Sequence, residues 1–428
     1  MKHQYTPIDE SQSDEGALYD PATRLKTPMR LVYGLILIVV VVIAVATLQF
    51  SGSFRFSSDT LDESTSSNKF TFKRIGYDPL PYFDLDASKT FTYKILKGQF
   101  AVIEPHTDMV FHSYSDPSDT TWTFTICPQW TSSSKKCQEG SFTNENDDEQ
   151  STVINFDCEA HSLFDVYVAK LNSNGKMLRN ISGTAICMPV RREVRNLLDA
   201  DRDAYVDATL EIYTKSQKEG EALYGKDFKT SDYLLGWHHF SAAQQDSDHL
   251  HGGNGFLMQH VKVTNIFEKA LQAIVPSLAQ PYWDFTIEHS EGKLFYGSFL
   301  TGEDMFGGMT VPVERNGFTY KNDKIVDARI PNGKFQDLKV GKNKIYEEMK
   351  LGYGYMRAPW NLNPSPYVSR YTFFPAQMAL PGCSDHYEVL MYNDLMDFMF
   401  EISQSAHATT HALSGGMYGC DIFEVFYD

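Results

Sequence analysis

Hydrophobic and polar residues recur with a different period in successive stretches of this chain, and each period predicts a different element. Residues 1–30 are polar and acidic without an apolar repeat, which predicts a disordered tail. Leu31 to Phe50 reads LVYGLILIVVVVIAVATLQF and holds no charge over 20 residues. As a helix it would be about 30 Å long, the thickness of a bilayer core, so a retained transmembrane anchor is predicted over 31–50. Residues 51–76 are rich in Ser, Thr and Asp and read as a stalk. Between 77 and 188 the period shortens to two: Phe91–Leu96, Thr121–Ile126 and Asp165–Leu171 alternate, and Asn172–Gly175 reads as a turn. That spacing predicts a small antiparallel β-sandwich. From about Val190 the period becomes helical. Val263, Phe267, Leu271 and Ile274 follow His260 at offsets 3, 7, 11 and 14, one stripe of an amphipathic helix. Residues 189–428 are therefore read as a mainly helical domain, in a multi-domain chain.

Charge and cysteines sharpen the topology. Arg24, Lys26 and Arg30 precede the apolar stretch closely, whereas Arg55 follows it. The positive-inside bias then places the N-terminus in the cytosol and everything after Phe50 in a lumen or outside the cell, a single-pass type II membrane protein. Cys127, Cys137, Cys158 and Cys187 form one block and Cys383 and Cys420 another. An even count in that compartment predicts disulfides, and the clustering suggests 127–137, 158–187 and 383–420. The last would bracket His407 and His411 and contribute about 2–4 kcal/mol. Asn180-Ile-Ser182 is an N-glycosylation sequon. The formal charge of −17 argues against nucleic acid as a partner, because phosphate binding needs clustered Lys and Arg. A hydrophobic fraction of 42% with 14% aromatics supports a real core.

The chemistry lies in histidines. His260 shares the apolar stripe of its helix, so its ring faces inward and needs a hydrogen bond or a metal. His407 and His411 are four apart, which puts them one turn apart on one helix face, able to chelate one ion. Ala408 follows His407, so this is not the H-E-x-x-H zinc hydrolase pattern. Taken alone, each histidine feature reads more often as a satisfied core or surface residue than as a metal ligand. His106 and His112, in the β-rich stretch, read as surface residues.

The flanks change this. His251 and His260 with eight residues between them, then Phe267-Glu268 and Pro281-Tyr-Trp-Asp284, resemble the first copper motif of tyrosinases and polyphenol oxidases. His407 and His411 followed by Gly415-Gly416-Met417 resemble the start of their second. The resemblance runs from about Val190 to Asp428. It implies a helical copper domain with a four-helix-bundle core and a dinuclear type 3 centre of two copper ions. It also implies dioxygen and a small phenol or catechol as reactants, with an o-quinone as product. By resemblance the first copper takes His238, His251 and His260 and the second His407 and His411. Within Gly236-Trp-His-His-Phe240, His239 competes closely with His238, and His249 more distantly. Glu268 and Asp284 read as structural hydrogen-bond acceptors. Neutral imidazole is a ligand that suits copper.

The sequence also departs from the family. A third histidine for the second copper comes, in the family, from a later Asp-Pro-x-Phe-x-x-His-His segment, and this chain has none in the 17 residues after His411. His386 lacks that context. A C-terminally truncated sequence is the favoured explanation. The alternative is a catalytically inactive, anchored interaction protein with an incomplete second site, and an oxygen carrier is a more distant third. Many phenol-hydroxylating members have Asn where Ala408 stands, so catechol oxidation is expected over monophenol hydroxylation.

Overall fold

The computed structural model describes residues 69–78, 100–114, 121–129, 137–146, 149–242, 249–251, 255–308, 329–357, 366–368 and 379–414. Ser66–Asp428 forms one compact unit. The expected tail over 1–30, anchor over 31–50, strand at Phe91–Leu96, Cys420 and Gly415-Gly416-Met417 lie outside the described residues.

The β-rich part contains β1 (Lys69–Arg74), β2 (Phe100–Ile103), β3 (Asp108–Tyr114), β4 (Thr121–Pro128), β5 (Gln138–Ser141), β6 (Thr143–Asn146), β7 (Glu149–Asn155), β8 (Leu163–Leu171) and β9 (Met177–Cys187). They form two sheets, ordered β1-β3-β7-β6 and β2-β9-β8-β4-β5. In β4 the alternation read from the sequence is visible as burial: Trp122, Phe124 and Ile126 face inward. Phe70, Phe72 and Phe111 of the first sheet join Trp122, Phe124 and Val166 of the second in one core. Phe70 meets Trp122 edge-on at 5.0 Å, the geometry aromatic quadrupoles favour. The Asn172–Gly175 turn closes with Gly175 N–H donating to the Asn172 carbonyl at 2.9 Å.

Two expectations change here. β2 pairs with β9 in parallel, so the sandwich is mixed rather than purely antiparallel. Lys69–Arg74, read as stalk, is an edge strand of the first sheet whose Phe70 and Phe72 supply core rings. Cys127–Cys137 and Cys158–Cys187 are disulfides. Cys383 is exposed and free, and Cys420, its expected partner, lies outside the described residues. Asn180 is exposed on β9.

The helical part contains α1 (Asp199–Thr214), α2 (Gln217–Tyr224), α3 (Ser231–Ala242), α4 (Gly255–Ile274), α5 (Thr286–Ser290), α6 (Lys344–Met349), α7 (Cys383–Leu390) and α8 (Leu395–Ile402). A π-helical turn, Ser403–His407, then leads directly into α9 (Ala408–Ser414). Val206 and Ile212 of α1, Leu234 of α3 and Phe267 and Leu271 of α4 share one apolar core. Among the described residues no helix is long and apolar enough to cross a membrane. The 20-residue α4 shows why: it buries one stripe and carries Lys262, Glu268 and Lys269. The described residues form a β-rich part followed by a mainly helical part, and the transmembrane helix expected at the head of the architecture is not shown among them. The expected type II single-pass placement is not supported by any helix among the described residues.

A buried charge network joins the two parts. Glu104 accepts hydrogen bonds from both guanidinium nitrogens of Arg192, at 2.5 and 2.9 Å, and from Arg74 at 3.4 Å. Arg74 and the Tyr77 hydroxyl both donate to Asp201 at 2.5 Å. The Arg192 guanidinium lies 3.8 Å from the Tyr77 ring centroid. Burial, then Asp201, raises the Tyr77 phenol above its ordinary value, so it stays a donor.

Candidate metal centre

The segment that leads into the helical part is held to the far end of α4. Arg191 forms a two-pronged ion pair with Glu268, at 3.0 and 2.6 Å. Glu268 also accepts from the Gln280 amide at 3.0 Å. Pro281–Asp284 is stitched in by Tyr282 N–H to the Arg192 carbonyl and Val194 N–H to the Tyr282 carbonyl, both 2.9 Å. Asp284 accepts from the Thr286 amide and hydroxyl. Trp283 donates to the fully buried Glu288 at 3.0 Å, which also accepts from Ser298 and pairs with Arg195. Glu268 is thus a structural acceptor that ties α4 to the entering segment, and Asp284 is a local acceptor at the start of α5.

On that frame α3 and α4 present the first histidines. Gly255 opens α4 where a Cβ would lie 2.2 Å from the His249 carbonyl oxygen. A side chain there would push the preceding loop away, so glycine is what lets His251 approach the helix. His238, His251 and His260 each offer a nitrogen within 4.8 Å of the others. Their ring centroids stand 5.4–5.9 Å apart. The structure thus brings His238, and not its neighbour, into the cluster. His239 is buried on the next helix face, where its Nδ1 meets the Tyr346 hydroxyl at 2.8 Å. Burial pushes the His239 ring down to about 4, so it remains neutral at physiological pH. His249 is exposed, and His386 packs on Phe285 instead.

The second pair arrives from the other side. His411 Nε2 and His407 Nε2 approach to 2.6 Å. The His407 ring lies 5.7 Å from that of His260, so the two groups share a pocket. Phe256 fills the space between them, 4.6 Å from both rings. The sequence reading did not single out Phe256, although its position four residues before His260 puts both on one helix face. The π-helical turn at Ser403–His407 had no readable signal. Such turns rotate the residues that follow and recur at functional sites.

The donor set fits copper by its protonation. His260 Nδ1–H donates to the Phe256 carbonyl at 2.7 Å, and His407 Nδ1–H donates to the Ser403 carbonyl at 2.9 Å. A neutral ring committed at Nδ1 keeps its lone pair at Nε2. His411 is held well below its ordinary value, first by burial and then by His407, His238, His251 and His260. An imidazole kept neutral in this way favours a soft-to-borderline cation over a proton.

Residues 229–422 match the family described as "Common central domain of tyrosinase". Over 150 residues the chain is 29% identical to grixazone synthase of Streptomyces griseus subsp. griseus, covering 34% of this chain and 45% of that protein. The chain thus spans under half the length of this relative. Among solved structures, a family 76 glycoside hydrolase from a bovine Bacteroides thetaiotaomicron strain matches over 40% of this chain and 36% of its own, at 9% identity and a TM-score of 0.19. Astrotactin-2, a vertebrate-specific perforin-like membrane protein, matches over 41% and 34%, at 11% identity and a TM-score of 0.19. Superpositions that loose carry no argument. His238, His251 and His260 fall within residues 229–422, the stretch that matches the central domain of tyrosinase.

Proposed function

We propose that this chain oxidises catechols, and phenols less readily, to o-quinones with dioxygen at a dinuclear copper centre. The observation that carries this reading is the convergence of the imidazoles of 238, 251 and 260 with those of 407 and 411 in one pocket. His238, His251 and His260 would hold one copper ion, and His407 with His411 would contribute to the second. Bound copper would supply one-electron redox chemistry that carbon-based side chains lack. The chain's own share is positional. The carbonyls of Phe256 and Ser403 hold His260 and His407 in the ligating tautomer, and Phe256 keeps water from between them. Each catechol gives up two electrons and two protons, and one dioxygen takes four of each from two catechols to form two waters. Ala408 offers no side-chain amide beside His407, which by the family resemblance favours catechols over monophenols.

The test uses the full chain reconstituted with copper. Two ions per chain, with two catechols oxidised per dioxygen consumed, is the expected result. Failure to take up copper ends this reading. A second reading, a copper-binding relative without turnover, has one observation in its favour. Among the described residues, the trio at 238, 251 and 260 is the group of three or more that could hold an ion, and His407 and His411 stand as a pair. Copper uptake with negligible catechol oxidation would establish it.

A further inference from the structure

We propose that His239 and Tyr346 form a positioning pair that sets the rotation of α3 and so aims His238 at the metal. This rests on the reading that His238 is a copper ligand. Residues 238 and 239 are adjacent, so their side chains leave the helix about 100° apart. Whatever fixes one fixes the direction of the other.

The face of α3 that carries residue 239 is fixed firmly. Tyr346 is 2% exposed and His239 6% exposed, and the phenol reaches the imidazole at 2.8 Å with the rings stacked at 29°. Leu235, one turn earlier on that face, packs with Tyr346 and Met356 in a separate small core. Tyr346 itself cannot wander. Asn343 caps α6 by accepting from the amides of Ile345 and Tyr346, and the Leu351 amide closes onto the Tyr346 carbonyl at 2.9 Å. The helix therefore has one face committed to α6 and the adjacent face, with His238, turned to His251 and His260 at 5.4 and 5.9 Å. Apolar packing at Leu235 alone tolerates small rotations. A buried, directional hydrogen bond does not.

The experiment measures copper binding and folding on the same full-length samples. Tyr346→Phe removes only the hydroxyl and keeps the ring that packs on Leu235. It is expected to lower copper affinity about 10- to 100-fold, the range typical for partners that orient metal ligands. The Cu(II) electron paramagnetic resonance spectrum is expected to change while the near-ultraviolet circular dichroism stays that of the wild type. His239→Gln keeps a hydrogen-bonding side chain toward Tyr346 and is expected to retain more affinity than His239→Phe. His238→Ala separates the two claims. If it leaves copper binding unchanged, the ligand reading itself fails. If it abolishes binding while Tyr346→Phe leaves affinity and spectrum unchanged, the positioning pair alone is overturned. Affinity that falls only in step with lost circular dichroism, in both Tyr346→Phe and His239→Phe, also overturns it, because the pair would then serve folding and nothing more.

Discussion

The β-rich and helical parts of this molecule solve opposite problems. The sandwich buries rings against rings: Phe70, Phe111, Trp122 and Phe124 sit in a core closed by two disulfides. It carries its own cohesion. The helical part has no disulfide among its described residues, and it gathers five half-buried imidazoles in one place. Packing polar rings together costs stability unless they are hydrogen-bonded or ligated. The difference teaches that the sandwich should fold without a ligand, whereas copper binding in the helical part should also add folding free energy.

The sharpest way to break that comparison is His260→Ala. It should weaken copper binding by roughly 100-fold or more, beyond what outer partners cost, and leave the melting of the sandwich unchanged by circular dichroism. A matching loss in the sandwich would mean the two parts are one cooperative unit. Next in size is Glu104→Ala at the junction, which strands two arginines. Breaking such a buried pair costs roughly 3–5 kcal/mol, and in denaturant the unfolding transitions of the two parts should move further apart. The double change Cys158→Ala with Cys187→Ala opens a link spanning 29 residues. It should cost about 3 kcal/mol, all of it in the sandwich, with copper affinity unaltered in isothermal titration. The smallest effect concerns Asp232 at the start of α3. Burial raises its carboxyl above the ordinary value. The folded chain therefore holds this proton at a pH where the unfolded chain has released it. Stability is lost as pH rises through that window. Asp232→Asn should raise the melting temperature near neutral pH and have little effect below about pH 4, the ordinary Asp range.

The periodicities carried much of the fold into view. Alternation at Thr121–Ile126 and Asp165–Leu171 became β4 and β8, because a half-buried sheet face admits one side chain in two. The stripe running from His260 to Leu271 became α4. Local spacing was less informative where pairing is non-local. The parallel β2–β9 ladder joins residues more than 80 apart by backbone bonds that leave no trace in side-chain pattern. Clustering of cysteines along the sequence did predict the 127–137 and 158–187 bridges, because the sandwich brings the members of each pair within bridging distance. The apolar run at 31–50 suggested an anchor, and among the described residues no helix fits that role.

By itself the sequence determined the chemical vocabulary: five histidines in two ordered groups, an acidic surface and the residue types of a copper-binding family. Spacing along a helix or strand is a local property, and local properties survive without coordinates. Tertiary structure alone decided which imidazole of His238 and His239 turns inward, that Phe256 stands between the two groups, and that Glu104 and Asp201 tie the sandwich to the helices. Those outcomes depend on where whole elements come to rest. That is set by the summed packing of distant surfaces, which no single stretch of chain encodes.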